Sequence, residues 1–154
     1  IAVGECGLDY YRSDESTKAG QKDAFIQQIE LANTLKKPLM LHIRPALSGV
    51  EGNAYEDALE IIKAHAKVKG DVHFFAGDWG TAKKFLEIGF TLSFTGVLTF
   101  THDYDEVVKN APLDMLLSET DAPYVTPVPH RGKRNEPLYV QEVVKAIAGI
   151  RGKI

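Results

Sequence analysis

The sequence predicts an α/β fold in which parallel strands alternate with helices. Five short segments are almost continuously apolar, as expected for parallel strands that are covered on both faces. Amphipathic helical patterns lie between them, and this alternation is typical of α/β proteins. Two arrangements fit: an open doubly wound sheet, or part of a (β/α)₈ barrel. A barrel usually needs about 250 residues, and this chain would supply about five-eighths of one.

The elements are justified in chain order. The strands are predicted at residues 1–8, 38–43, 71–75, 90–94 and 115–118. The residues expected to form the apolar faces of the helices are Phe25, Ile29, Ala32 and Leu35; Tyr55, Ala58, Leu59, Ile62 and Ala66; Phe85 and Leu86; Val107 and Val108; and Val140, Val143, Val144, Ile147 and Ala148. Gly70 and Gly89 are predicted to cap helix C-termini. No linker is evident, so residues 1–154 are interpreted as one domain.

Composition excludes several classes of protein. The net charge is −3 and the pI about 6.0, which does not support a general attraction to nucleic acid. The single cysteine, Cys6, allows no internal disulfide and fits a reducing cytoplasm. No apolar run reaches the roughly 18 residues of a membrane span, and nothing indicates an obligate protein partner. The chain opens without Met inside a predicted strand, so we expect it to be a fragment.

Polar residues follow the predicted strands, and these residues carry the chemistry. Glu5, His42, His73 and Asp121 come at or just after four different strands. In a barrel, the C-terminal strand ends open onto one mouth that holds the active site. Imidazole suits Zn, Fe or Ni, and carboxylate adds Mg and Mn, so the pattern predicts a metal site. The alternative is that each residue only bonds its own loop, with Asp121 as a turn residue before Ala122.

Five segments together resemble the TatD family of metal-dependent deoxyribonucleases. They are VGECGLDYYR (3–12), QKDAFIQQIELANTLKKPLMLHIR (21–44), VHFFAG (72–77), TLSFTGVLTF (91–100) and LLSETDAPYVTPVPHRGKRNEP (116–137). The resemblance runs in order along nearly the whole chain. It implies a TIM-like (β/α)₈ barrel of the metal-dependent hydrolase type, in which the five strands are the fourth to the eighth.

The resemblance also implies a site with two divalent metal ions, Mg²⁺ or Mn²⁺, with Zn²⁺ as an alternative. Glu5 would be shared between the metals, His42 and His73 would bind the second, and Asp121 would bind the first. The family's first strand carries a His-x-His pair of ligands, and this sequence contains no such pair. We therefore expect the N-terminal third of the barrel to be missing.

The loop after the last strand is rich in proline and positive charge. Its prolines fix φ and are expected to stiffen it. Residues predicted to bind substrate phosphate are Arg44, His130, Arg131, Lys133 and Arg134, because guanidinium groups recognise phosphate oxygens in a bidentate fork. The alternative is that Arg131 and Arg134 form salt bridges with Glu136 and the last helix. Tyr10, with Tyr11, would stack on a terminal base or pack at the rim.

These features predict metal-assisted hydrolysis of phosphodiesters, with Glu5 and Asp121 as the catalytic residues. The resemblance indicates a 3′→5′ deoxyribonuclease acting on single-stranded DNA or 3′ ends. One alternative is an amidohydrolase-type enzyme that cleaves an amide, a lactone or an aminoacyl ester at the same metals. The other is an inactive truncated remnant, which the missing His-x-His pair favours.

Overall fold

The computed structural model describes residues 1–11, 14–47 and 52–153. The chain forms two compact units. The first comprises Ile1–His73 with Glu87–Phe90, and the second comprises Phe74–Leu86 with Thr91–Ile154. Among the described residues, no helix combines the length and the apolar character that crossing a membrane requires.

The first unit contains three parallel strands and two helices. In chain order they are β1 (Val3–Asp9), α1 (Glu15–Leu35), β2 (Leu39–Arg44), α2 (Ala54–His65) and β3 (Gly70–His73). The strand register sets Gly7 opposite His42, and His42 opposite His73. A Cβ atom on Gly7 would lie only 2.0 Å from the His42 carbonyl oxygen, so β2 approaches β1 this closely because residue 7 is glycine. The register therefore aligns the ends of the strands that carry the candidate ligands.

The second unit contains the remaining elements. These are α3 (Trp79–Glu87), β4 (Thr91–Phe94), α4 (Asp105–Asn110), β5 (Leu116–Ser118) and α5 (Val140–Ile150), with short 3₁₀ turns at Gly96–Thr99, Leu113–Met115 and Pro137–Tyr139. The last residue of α3, Glu87, belongs to the first unit. β4 and β5 are parallel, with Ser93 opposite Leu117. All five predicted strands are confirmed to within a few residues.

Each unit is built around the apolar faces that the sequence predicts. In the first unit, Leu8, Leu41 and Val72 from the strands are fully buried with Phe25 and Ile29 from α1. In the second unit the fully buried residues include Phe75, Phe85, Leu92, Phe94 and Val108. Burying one such side chain stabilises the fold by roughly 1.5–3 kcal/mol. The strands that carry the candidate ligands are therefore held by their packed apolar faces.

Three predictions about packing are wrong. Leu35 is exposed because it is the last residue of α1, and Val144 is exposed because it is rotated away from the buried Val143 beside it. Gly70 does not cap α2, which ends at His65 with Ala66 as its cap; Gly70 instead begins β3. Gly89 follows the end of α3 with a φ of +83°, in the left-handed region expected of a glycine at a helix C-terminus.

Candidate metal centre

The first three strands, which are neighbours in the sheet, bring together three of the predicted ligands. Glu5 lies on β1, His42 on β2 and His73 at the end of β3. The Oε1 atom of Glu5 is 2.7 Å from Nδ1 of His42 and 3.7 Å from Nε2 of His73. One carboxylate oxygen therefore faces one ring nitrogen of each histidine.

The donor types of this set, one carboxylate and two imidazoles, suit a divalent cation, but their spacing in this structure does not. Two ligands that each lie about 2.0–2.2 Å from one tetrahedral ion are about 3.4 Å apart. The Glu5–His73 separation already suits this spacing, whereas the Glu5–His42 contact is a hydrogen bond and is too short. Accordingly, within residues 1–11, 14–47 and 52–153 no three His, Cys, Asp or Glu side chains are spaced as a preassembled metal site. A cation would replace the Glu5–His42 hydrogen bond.

Asp9 contacts the other nitrogen of the His42 ring. Its Oδ2 atom is 3.2 Å from Nε2 of His42, and its Oδ1 atom accepts the N–H of Tyr11 at 3.0 Å. The Gln21 side chain accepts the Asp9 N–H at 2.8 Å and donates to the Asp9 carbonyl at 3.1 Å. No role for Asp9 was predicted from the sequence. The alternation of side chains along β1 could have found it, because residues 5 and 9 share one face of a strand.

The predicted role of Tyr10 in base stacking is wrong. Its side chain is 2% exposed, its hydroxyl donates to Oδ2 of Asp57 at 2.6 Å, and the Lys18 ammonium lies 4.8 Å from the ring centroid. Burial first, and then the hydrogen bond with Asp57, raise the pKa of Tyr10 well above its usual value. Tyr10 follows the buried residues Cys6 and Leu8 of the same strand face, so it belongs to the packed interior.

Tyr11 and Arg44 form a pair on the other face. The Arg44 guanidinium carbon lies 3.9 Å from the centroid of the Tyr11 ring, and Tyr11 is 43% exposed. Such a cation–π contact is worth about 0.5–1 kcal/mol at an exposed site. Arg44 is therefore held in one orientation directly after His42 and Ile43, while its aromatic partner remains accessible.

Asp121 lies in a turn beyond β5. Its φ is +53°, a left-handed conformation in which Asp is enriched among non-glycine residues, and its carbonyl accepts the N–H of Tyr124 at 2.9 Å. The turn interpretation is thus confirmed for the main chain. The turn hydrogen bond does not use the Asp121 carboxylate, so metal ligation stays a prediction.

Glu119 fixes the residue that follows His73. Its Oε1 atom accepts the N–H of Phe74 at 2.7 Å and the hydroxyl of Ser93. Phe74 has a φ of +45°, which is uncommon for a bulky residue and persists only where its surroundings hold it. No such role was predicted for Glu119, because the sequence carries no signal that a bulky residue such as Phe74 adopts a left-handed conformation.

The basic loop is held together from inside by two buried polar residues. Asn135, 3% exposed, donates through Nδ2 to the carbonyls of Thr120 at 2.7 Å and Tyr124 at 2.6 Å, and its Oδ1 accepts the N–H of Glu136 at 2.9 Å. Thr126 donates to the Lys133 carbonyl at 2.6 Å. The prolines were expected to stiffen this loop; these hydrogen bonds are a second cause that sequence reasoning missed.

The four basic residues of the loop fall into two groups. Arg131 donates to the Thr126 carbonyl at 2.9 Å and lies 4.1 Å from the centroid of the Phe100 ring, and His130 stacks on Tyr139 with ring centroids 3.9 Å apart. Both therefore help to hold the loop. Arg131 does so through the Thr126 carbonyl and the Phe100 ring rather than through the salt bridge with Glu136 considered above. Lys133 and Arg134 are exposed.

Parallel strands joined by helices, with a carboxylate and two histidines on neighbouring strands, define an α/β protein with a candidate metal site. Comparison with known proteins makes the assignment specific. The sequence model of the family described as "TatD related DNase" matches residues 1–153, and the chain belongs to that family.

Relatives support the same assignment. The Escherichia coli (strain K12) protein named "Uncharacterized metal-dependent hydrolase YcfH" is 40% identical, with 99% of this chain and 56% of that protein covered. A Bacillus subtilis (strain 168) protein of the same description, YabD, is 42% identical over 98% of this chain and 57% of its own length. The crystal structure of the TatD homologue YjjV from E. coli K12 has a TM-score of 0.84 at 27% identity and covers 97% of this chain and 56% of that one.

The structural likeness decides between the two predicted architectures. The chain has the fold of part of a TIM-like (β/α)₈ barrel, and the doubly wound alternative is excluded. The chain spans about half the length of the curated relatives it matches.

Proposed function

We propose that this chain is the metal-binding part of a metal-dependent hydrolase that cleaves phosphodiester bonds in DNA. The observation that carries the proposal is the convergence of His42 Nδ1 and His73 Nε2 on one oxygen of Glu5. A carboxylate that faces two imidazoles presents oxygen and nitrogen donors that suit a divalent cation. The family description names DNases, and the relatives above are named metal-dependent hydrolases.

The proposed ligands have distinct tasks. Glu5, His42 and His73 would hold one divalent cation, and Asp121 would be a ligand of a second; Mg²⁺ or Mn²⁺ suits these donors, with Zn²⁺ as the alternative. Such cations lower the pKa of a bound water and neutralise phosphate oxygens. Asp121 would accept the proton of the attacking water, for which its carboxylate must be ionised.

The substrate would be recognised through its phosphates. Arg44, oriented by Tyr11, offers a planar fork of donors that matches a phosphate group. Lys133 and Arg134 are exposed and add positive charge, while His130 and Arg131 maintain the loop that carries them. Phosphate contacts position a strand without reading its bases, so cleavage should show little sequence preference. We propose 3′→5′ release of nucleotides from single strands or 3′ ends.

The test is nucleotide release by the whole protein from a single-stranded oligonucleotide labelled at its 5′ end, with Mn²⁺ present. Glu5→Gln and Asp121→Asn should each abolish release while the circular dichroism spectrum is unchanged. The matched controls are Glu60→Gln and Asp23→Asn, at exposed helix positions, which should leave release unchanged. Release near the wild-type rate by Glu5→Gln or Asp121→Asn would overturn this mechanism. Cleavage of a neutral ester but not of DNA would favour the amidohydrolase-type alternative.

A further inference from the structure

We propose that Asp9 is a positioning residue that sets which nitrogen of His42 binds metal. The inference rests on the metal site proposed above and deepens it. The two ring nitrogens of His42 face two different carboxylates: Nδ1 faces Glu5 and Nε2 faces Asp9. His73 also approaches Glu5, so the Nδ1 side of the ring is the side on which the candidate ligands converge.

A neutral imidazole carries one proton, and its position decides which nitrogen has a free electron pair. With the proton on Nε2, His42 donates to Oδ2 of Asp9, and the electron pair of Nδ1 is available to the cation that would replace the Glu5–His42 hydrogen bond. Histidine ligands of metals commonly donate their other N–H to a carboxylate, which fixes the tautomer and the ring orientation. The contacts of Asp9 have this arrangement.

Asp9 is itself held so that only one of its oxygens faces His42. The Tyr11 N–H donates to Oδ1 at 3.0 Å, and both main-chain groups of Asp9 are bonded by the Gln21 amide. The main chain at residue 9 is therefore bonded to α1, and the carboxylate is bonded to the main chain two residues further on. Its remaining oxygen, Oδ2, lies 3.2 Å from Nε2 of His42.

Because of this geometry, we expect Asp9→Asn to weaken metal binding more than Asp9→Ala does. In Asp9→Asn the amide oxygen can keep the hydrogen bond from the Tyr11 N–H, and in that orientation the NH₂ group faces His42. The NH₂ group donates a hydrogen bond to Nε2, which must then be unprotonated. The single ring proton therefore lies on Nδ1, the nitrogen that is needed to bind metal. In Asp9→Ala, Nε2 meets water and either tautomer is available.

The two explanations for Asp9 therefore predict opposite results. If Asp9 sets the tautomer, Asp9→Asn binds metal more weakly than Asp9→Ala. If Asp9 only packs and shapes the loop, asparagine, which is nearly identical in shape and keeps the Tyr11 hydrogen bond, is the milder change.

The experiment is titration of the whole protein with Zn²⁺ by calorimetry, for the wild type, both Asp9 variants and the exposed control Asp23→Asn. We expect Asp9→Asn to lose about 10–100-fold in affinity, the range measured for groups that support metal ligands. Asp9→Ala should lose less, and Asp23→Asn should match the wild type. In ¹⁵N NMR of the Zn²⁺-loaded wild type, His42 should carry its proton on Nε2. Urea unfolding checks that each variant is folded.

Three outcomes would overturn the inference. Affinity in Asp9→Ala equal to or below that in Asp9→Asn gives Asp9 a structural role only, and a His42 proton on Nδ1 in the loaded protein excludes the proposed tautomer. A wild type that binds Zn²⁺ no better than Glu5→Gln removes the metal site itself, and with it the role of Asp9. The first two results leave the proposed hydrolase function standing, so the two failures are distinguishable.

Discussion

The guanidinium carbon of Arg44 lies 3.9 Å from the centroid of the Tyr11 ring. Arg44 follows the candidate ligand His42 by two residues, and Tyr11 follows Asp9 by two. The pair thus connects the ends of β1 and β2 beside the candidate metal centre. A free arginine has to be ordered when it binds phosphate, at a cost of about 0.5–1.5 kcal/mol, and stacking removes part of that cost in advance.

Replacing Tyr11 by alanine should therefore raise KM for a single-stranded oligonucleotide about 2–10-fold, as the cost of ordering one side chain implies, and change kcat little. Tyr11→Phe keeps the ring and should behave like the wild type, which makes it the matched control. Steady-state kinetics with Mn²⁺ measure both. A fall in kcat without a change in KM would show that Tyr11 does not act through substrate binding.

The two arginines of the basic loop should respond differently to substitution. Arg134→Ala should weaken oligonucleotide binding and reduce the slope of log K against log salt by about one, the effect of losing one phosphate contact. It should not change the free energy of unfolding, because Arg134 is exposed. Arg131→Ala should lower that free energy, because Arg131 bonds the Thr126 carbonyl and lies over Phe100.

Fluorescence anisotropy at several salt concentrations, combined with urea unfolding, separates the two effects. Equal losses of stability in Arg131→Ala and Arg134→Ala would contradict the division of roles within the loop.

Asn135→Ala should loosen the basic loop without affecting metal binding. The substitution leaves the carbonyls of Thr120 and Tyr124 without their donor, and each lost hydrogen bond costs about 0.5–1.5 kcal/mol. We expect a lower free energy of unfolding, weaker oligonucleotide binding and unchanged Zn²⁺ affinity at Glu5, His42 and His73. The control is the exposed Asn110→Ala at the end of α4. Unfolding identical to the wild type would show that the prolines alone hold the loop.

Tyr10→Phe tests the correction to the role of Tyr10. It removes the hydrogen bond to Asp57 but keeps the buried ring, so it should cost about 1 kcal/mol of stability at neutral pH and leave KM unchanged. A large rise in KM would restore a role in substrate binding.

The pH dependence of stability gives a second readout for the same pair. Burial raises the pKa of Asp57, but hydrogen bonds from Lys22 and Tyr10 outweigh it, and the net pKa lies below the ordinary value of 3.8. A depressed carboxyl pKa stabilises the fold above that ordinary value, and the stabilisation is lost as the pH falls below it. In urea unfolding between pH 6 and pH 2, the free energy of unfolding should fall less in Tyr10→Phe than in the wild type. An equal fall in both would contradict the coupling between Tyr10 and Asp57.

Metal should stabilise the whole protein through His42 and His73. A ligand that binds only the folded state at 100 times its Kd adds about 2.7 kcal/mol, so Mn²⁺ should raise Tm and a chelator should lower it. His42→Ala and His73→Ala should lose most of that increase. His65→Ala is the control, because His65 lies at the end of α2 near Glu30 and away from these ligands. A full increase in Tm in His42→Ala would exclude this site.

Part of the candidate site could be predicted from the sequence because regular structure repeats. Glu5, His42 and His73 were expected together since parallel strands align their carboxyl ends, and the register confirms the alignment of the last two. The same alternation along β1 indicates that Tyr10 shares the buried face of Leu8, whereas Asp9 shares the face of Glu5. That pattern was present in the sequence, and the error over Tyr10 came from grouping it with its neighbour Tyr11.

The sequence by itself determined the alternation of strands and helices, the buried faces of most elements and the family. These properties depend on short-range periodicity and on residue order, which a sequence contains in full. Only the tertiary structure decided that Asp9 contacts the second nitrogen of His42, that Glu119 holds Phe74, and that Asn135 closes the basic loop. The physical reason is that these hydrogen bonds join residues far apart in sequence or in irregular loops, where only the folded path of the chain fixes distance and direction.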